Sequence, residues 1–260
     1  MNFINEIEKH KKKLKSEFPI ESQTTVEDKI VLLQLKNLMQ KLNSYSYLEI
    51  GTYLGGSLTP FVKDSTCKHI LSIDKRGRVI PDERGSKINY LDIKEEKTIE
   101  SLKNYNLDIS KIDFFNGSID ENKKINYKFD LCFIDGEHTD TACFRDFIYA
   151  NKFMKNDAII AFHDSHYIYK SLIMINELLE SKKKKFKFIK IFNTSISLIL
   201  FNKFADIKVE NYFVIEKNLE KFYQFCEKKI LESYLRNRVK VSLNLSVKDM
   251  PIKTPTKFNT

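Results

Sequence analysis

Residues 130–140 read DLCFIDGEHTD. Leu131, Cys132, Phe133 and Ile134 form an apolar run suited to a strand covered on both faces. Asp135, Gly136, Glu137 and His138 follow at once, and they suit a solvated loop tip that carries reactive groups. A buried strand that breaks off into an acid, a glycine, a second acid and a histidine sets polar chemistry at the edge of a sheet.

The flanking sequence repeats this texture. YLEI (47–50), HILSI (69–73), IDFF (112–115) and AIIAF (158–162) are short apolar runs, each followed by polar residues or glycine. Helical stretches separate most of them. The clearest is 141–154, where Phe144, Phe147, Ile148 and Met154 share a face that Arg145, Asp146 and Lys152 avoid. Alternating strand and helix predicts a mostly parallel sheet with helices on both faces. After a further helix near 168–180, FKFIKIF and SISLILF flank Asn193-Thr194 as a hairpin. The sheet then has seven strands, the last antiparallel to the rest. Upstream, 1–17 reads as a charged helix and 25–42 as a second. For the second, Thr24 and Glu27 have capping-box spacing, and Ile30, Leu33, Met39 and Leu42 mark the apolar stripe. Downstream, a charged helical segment over 216–237 precedes a polar tail with Pro251 and Pro255. Disorder and docking on a second subunit are both open for this tail. The expected division is N-terminal helices over 1–43, a central α/β domain over 44–203 and a basic helical extension over 204–260.

Composition narrows the function. The chain has 260 residues, 42% hydrophobic and 12% aromatic, enough to fill one sizeable core. No apolar run approaches the roughly 18 residues that span a bilayer, and the N-terminus lacks the apolar region of a secretory signal. Cys67, Cys132, Cys143 and Cys226 are widely spaced without a CxxC pair, so a reducing cytoplasm is the simplest reading. The formal charge of +9 comes from 44 basic and 35 acidic residues. The basic residues are mostly lysines scattered among acids, which reads as a solvated surface or as modest attraction for an anionic substrate. No aromatic-rich RNA-binding signature accompanies them.

Of seven glycines, Gly51, Gly55, Gly56, Gly117 and Gly136 fall just after the first, third and fourth expected strands. Strand-to-helix turns use glycine anyway, but open α/β sheets bind ligands outside the carboxyl ends of their strands. The stretch YLEIGTYLGGS (47–57) is not a dinucleotide fingerprint, because Tyr53 stands where the second glycine of G-x-G-x-x-G is needed for pyrophosphate to approach. What remains is Glu49 before Gly51, a glycine pair further on, and Asp74 about twenty residues later, placed to accept hydrogen bonds from a ribose diol. An acidic loop that avoids phosphate but holds a ribose and a cationic group fits S-adenosylmethionine.

The motifs LEIGTYLGGS, LSIDKR, FNGS, FIDGEHTDTACFRD and IIAFHD, in this order over about residues 44–203, resemble the class I S-adenosylmethionine-dependent methyltransferases. The closest look is to the branch of macrocin-type sugar O-methyltransferases and cephalosporin-hydroxylase-like proteins. The resemblance implies a Rossmann-like fold and a cofactor site. Glu49, Gly51, Tyr53 and Gly55 would line the methionine and ribose part, Asp74 would bind the ribose hydroxyls, and Gly117 and Ser118 would border the adenine. Asp135 would stand at the centre of the reaction edge. Asp74 as a turn cap and Ser118 as a helix start are the structural alternatives.

Asp135 and His138 leave the fourth expected strand, and His163 and Asp164 leave the fifth, so four ionisable groups gather where the methyl group would be. A hydroxyl acceptor needs its proton removed or its pKa lowered. His138 or His163, with ordinary values near 6.5, would serve as general base. Asp135 and Asp164 would alternatively hold a divalent cation that polarises the hydroxyl. The resembling branch binds magnesium with an acidic pair at the second position, where this chain has His163-Asp164, and magnesium prefers oxygen ligands. His166 faces either substrate or solvent. The Pro-Pro-aromatic motif of enzymes that methylate exocyclic amino groups is missing after the fourth strand. The expected activity is therefore O-methylation of a small polar or anionic acceptor, such as a sugar or nucleotide-linked sugar. N- or carboxylate methylation and a non-catalytic binding module on the same fold are the alternatives. Neither nucleic acid nor a membrane span is expected. Phe213, Phe222 and Phe225, with the N-terminal helices, would build a lid or a homodimer interface outside the core.

Overall fold

The structure is a computed structural model that describes residues 14–76, 93–122 and 125–242. Most of the expected helix over 1–17, and the tail with Pro251 and Pro255, lie outside the described residues; 14–17 form one helical turn.

In chain order the elements are α1 (Val26–Met39), β1 (Tyr45–Ile50), α2 (Thr59–Val62), β2 (Cys67–Asp74), α3 (Glu95–Asn104), β3 (Ile112–Asn116), β4 (Phe129–Ile134), α4 (Asp140–Phe153), β5 (Met154–Phe162), α5 (Tyr169–Ser181), β6 (Phe186–Lys190), β7 (Ser197–Phe201) and α6 (Leu219–Ser242). The seven strands form one sheet in the order β3-β2-β1-β4-β5-β7-β6. The pairs β3–β2, β2–β1, β1–β4 and β4–β5 are parallel. β7 runs antiparallel to both β5 and β6, so it alone reverses direction. This is the expected Rossmann-like arrangement, including the antiparallel last strand. β4, in the middle, is buried at all its positions.

Successive residues of a strand face opposite sides, and this alternation builds two apolar layers. Leu131 and Phe133 join one layer, with Ile159, Ala161, Leu198 and most of α1. Cys132 and Ile134 join the other, with Ile160, Phe162 and the inner faces of α4 and α5. α1 is thus part of the core, although sequence alone leaves it outside: Ile30, Val31, Leu32, Leu35 and Met39 are fully covered. Phe213 is buried in the first layer, and Phe222 packs with Cys226 against Tyr169 of α5. These two side chains are spent inside the fold rather than at a dimer interface.

The cap of α1 differs from the expected Thr24–Glu27 pair by one residue. Thr25 is the N-cap and Asp28 its partner: the Asp28 N–H donates to Thr25 Oγ1 at 3.1 Å, and the Thr25 N–H to Asp28 Oδ2 at 3.3 Å. An aspartate at the third helical position reaches back as a glutamate does. Among the described residues no helix is long and apolar enough to cross a membrane.

Candidate active site

The hydrogen-bond ladder runs past the carboxyl ends of the strands and aligns the residues that follow them. The Gly51 N–H donates to Ile73 O at 2.8 Å, Asp135 N–H to Ile50 O at 2.7 Å, His163 N–H to Ile134 O at 3.0 Å, and Gly117 N–H to Asp74 O at 3.1 Å. Asp74, Gly117, Gly51, Asp135 and His163 therefore share one rim.

Gly51 is the tightest point. Its φ is +92°, and a Cβ there would sit 1.9 Å from Asp135 O, so only glycine lets these two backbones meet. The loop that follows is fastened from three sides. Tyr53, at φ +53°, donates its N–H to Asp74 Oδ2 at 2.7 Å, and its carbonyl accepts from Thr98 Oγ1 at 2.7 Å. Asp74 Oδ1 accepts from the Arg76 N–H at 2.9 Å. Glu49 lies beneath the loop with no exposed surface, accepting from Tyr47 Oη at 2.5 Å and Ser57 Oγ at 2.8 Å. Burial pushes its carboxyl up to about 8, and the charges of Asp135 and Asp74 act in the same direction against those two hydrogen bonds. Through Tyr47 and Ser57, Glu49 ties β1 to the loop that follows it.

At the ends of β4 and β5 the ionisable groups do converge. His163 Nδ1 lies 2.8 Å from Asp135 Oδ1, and His163 Nε2 lies 3.3 Å from Asp28 Oδ2. His138 Nε2 lies 3.0 Å from Asp164 Oδ2 and 3.7 Å from Asp135 Oδ1. Asp164 adopts a φ of +49°, which turns its side chain back toward the histidines. Burial alone would hold both imidazoles neutral. The Asp135 and Asp164 carboxylates outweigh it, raising His163 well above its ordinary value and His138 above its own. Asp28 moves the opposite way: burial raises it, but the hydrogen bond and charge of His163 bring it below the usual carboxylate range.

The two histidines differ in what is open to them. His163 is 5% exposed and has both ring nitrogens engaged, whereas His138 is 18% exposed and both its ion-pair contacts use Nε2. Asp135, His138 and Asp164 each offer a ligand atom, all within 4.8 Å of one another. Two carboxylates and an imidazole fit a divalent cation, and the nitrogen suits manganese, iron or zinc better than magnesium.

Gly117, at φ +151°, and Ser118 begin the turn Ile119–Glu121, where the Ser118 N–H donates to Glu121 Oε2 at 3.0 Å. Gly55 faces Thr98 and Leu102 of α3. His166 sits against the Tyr167 ring, with centroids 3.8 Å apart. Sequence reasoning missed Asp28, which comes from α1, 107 residues before Asp135. Its only sequence signal was the capping pattern, read one residue early.

Residues 48–165 match the model of a family described as "Methyltransferase domain". No curated protein matches the chain significantly. Among solved structures the chain is similar to the O-methyltransferase NovP, with TM-score 0.53 and 11% identity over 66% of this chain and 78% of that one. It is also similar to TomG from Streptomyces achromogenes, an O-methyltransferase of tomaymycin synthesis solved with SAM, with TM-score 0.49 and 14% identity over 76% and 89%. An O-methyltransferase from Bacillus cereus in complex with SAH gives 0.48 and 14% over 75% and 90%. At such identities the likeness to NovP speaks for the fold.

Proposed function

We propose that this chain, whose residues 48–165 match the methyltransferase-domain model and whose fold is like that of NovP, is a class I S-adenosylmethionine-dependent methyltransferase that methylates a hydroxyl oxygen of a small polar molecule. A sugar or nucleotide-linked sugar, modified in the cytoplasm for a glycan or natural product, is the acceptor class. The observation that carries the proposal is the Asp135–His138–Asp164 cluster standing on the rim beside Gly51. S-adenosylmethionine, when bound, supplies a methyl group on a cationic sulfur. The residues fit that group: Gly51 keeps the rim free of side chain, and Asp74, already fixing the Tyr53 N–H, presents carboxylate oxygens to a diol. Asp135 provides negative charge at the centre of the rim.

The chain's own contribution to a hydroxyl acceptor is to orient it and to receive its proton. His138 is the imidazole within reach for that task, because His163 has both nitrogens engaged. An amine or a carboxylate would need less of this assistance, which favours a hydroxyl acceptor. A second reading rests on the same cluster: Asp135, His138 and Asp164 would hold a divalent cation, and the ion would lower the pKa of the hydroxyl directly. The four cysteines are free and buried, in keeping with a reducing compartment.

Calorimetry with S-adenosylhomocysteine tests the donor site. Incubation with S-adenosylmethionine and a panel of sugars, nucleotide sugars and phenols, followed by fragmentation mass spectrometry, tests the acceptor atom. An O-methyl product that depends on His138 is expected. A methyl found on nitrogen or carboxylate, or a His138→Ala variant as fast as wild type, would end the hydroxyl reading.

A further inference from the structure

Asp28 stands outside the matched region 48–165, yet its carboxylate makes four hydrogen-bond contacts at the site. It has no exposed surface. Its Oδ1 accepts from the Ser195 N–H at 2.8 Å, and its Oδ2 accepts from Thr25 Oγ1 at 2.6 Å, the Thr25 N–H at 3.3 Å and His163 Nε2 at 3.3 Å. One side chain thus joins the start of α1, the β6–β7 turn and the end of β5. His163 passes the connection on to Asp135 through Nδ1 at 2.8 Å.

A capping role does not explain this placement. The backbone donors of Thr25 and Ser195 are neutral groups at a helix start and a turn, where a neutral acceptor or water serves equally well. Burying a carboxylate is unfavourable by several kcal/mol unless a cation and further donors compensate. The imidazole of His163 is the ionisable partner among those four contacts, and the buried ammonium of Lys190 also lies within range of the Asp28 charge. With a carboxylate on each nitrogen, the ring is fixed in one orientation, and Asp135 gains a fixed donor on Oδ1.

We propose that Asp28 is a positioning residue for the methyl-donor site: through His163 it fixes the Asp135 carboxylate on the rim, where that carboxylate meets a cationic donor. The proposal rests on the methyl-donor reading above and adds to it a part for the N-terminal helix. Without the Asp28 acceptor the His163 ring loses one of its two anchors, and the Asp135 carboxylate loses its fixed partner opposite the sulfonium.

The donor and its product separate this role from a structural one, because S-adenosylmethionine carries a positive sulfur and S-adenosylhomocysteine a neutral one. Calorimetry with both ligands on wild type, Asp28→Asn and Leu33→Ala gives three Kd ratios. Leu33 is a buried residue of the same helix with no polar contact, so its truncation weakens both ligands alike. Asp28→Asn should raise the ratio Kd(S-adenosylmethionine)/Kd(S-adenosylhomocysteine) by about 3- to 10-fold over wild type, the size expected for one unit charge acting across a partly solvated site. His163→Gln, which keeps a polar side chain but cannot reach both carboxylates as the ring does, should raise the ratio in the same direction, and it decides the matter if Asp28→Asn does not fold. A ratio that stays at the wild-type value in Asp28→Asn, as in Leu33→Ala, overturns the proposal, as does a His163→Gln ratio equal to that of wild type. A folded wild type that binds neither ligand overturns the donor reading and this inference with it.

Discussion

Replacing Gly51 by alanine strikes the point where the first and fourth strands come closest. The added Cβ would lie 1.9 Å from Asp135 O, 2.4 Å from its carbonyl carbon and 2.8 Å from the Gly136 nitrogen, about 1.5 Å short of ordinary van der Waals contact. All three are backbone atoms, so no rotamer change relieves the overlap. The residue must also keep a φ of +92°, which costs about 1–3 kcal/mol for a non-glycine residue. Opening the rim breaks the Asp135 N–H bond to Ile50 O or the Gly51 N–H bond to Ile73 O, at about 1 kcal/mol each. The total is about 2–5 kcal/mol, a large share of a domain whose whole stability is about 5–15 kcal/mol. Gly55→Ala is the internal comparison. Its φ of +88° imposes a similar backbone penalty, but its nearest neighbour is the Thr98 side-chain methyl at 3.3 Å, so the loss should stay near 1–3 kcal/mol. Urea melts with calorimetry of S-adenosylhomocysteine read both effects. Gly51→Ala should lose at least about tenfold in affinity beyond Gly55→Ala, since displacements of about 1 Å at a reacting site carry large penalties. If both variants melt together and bind alike, the close approach of β1 and β4 is not what shapes the donor site.

Other perturbations test neighbouring parts. Asp74→Ala frees the N–H groups of Tyr53 and Arg76 from their acceptor, and calorimetry should show S-adenosylhomocysteine affinity down by about 10- to 100-fold, as for loss of hydrogen bonds to a charged group. Glu49 gives a pH signature. Its folded value of about 8 lies above the ordinary 4.5, so the folded protein keeps a proton that the unfolded chain releases between those values. Stability of the ligand-free protein should therefore fall as pH rises from 4.5 to 8, and Glu49→Gln should flatten that part of a melting-temperature profile. An unchanged slope would show that Glu49 ionises normally beneath the loop. Lys190→Met removes a buried ammonium that donates to the carbonyls of Ile191 at 2.8 Å, Thr194 at 2.5 Å and Ile196 at 3.2 Å. Three acceptors lose their donor, and denaturation should report a loss of about 3 kcal/mol or more. For the metal reading, manganese titration followed by electron paramagnetic resonance should detect binding in wild type and none in Asp164→Ala. Binding that survives Asp164→Ala would move the ion elsewhere.

The fold was legible where local pattern and tertiary role agree. The run 131–134 is apolar at each position because β4 is covered on both faces, and each of its alternate residues is claimed by a different layer. The hairpin over 186–201 was legible because Asn193, with φ +56°, is a residue type that tolerates the left-handed turn conformation. The strand ends were legible too, since glycine and acids cluster where a backbone must stay open. α1 was legible as a helix but not as a core element. Its stripe of Ile30, Leu33 and Met39 says that one face is covered, and it does not say by what.

Asp28 escaped for a related reason. In sequence, TTVED offers two threonines and two acids around a helix start, and any of several pairings would satisfy the first turn equally well. What selects Asp28 is a partner that no local rule contains: an imidazole from the end of β5, brought over the same helix start when α1 packs on the sheet. That partner also resolves the puzzle of the pair His163-Asp164. A histidine beside an aspartate looks like an imperfect acidic pair when read alone. Between Asp28 and Asp135 it is a bridge with a carboxylate on each nitrogen, while Asp164 turns to His138. The two histidines that sequence could not separate are thus divided by packing, one held inside and one left at the rim. It is the N-terminal helix, not the motif after β5, that makes the division.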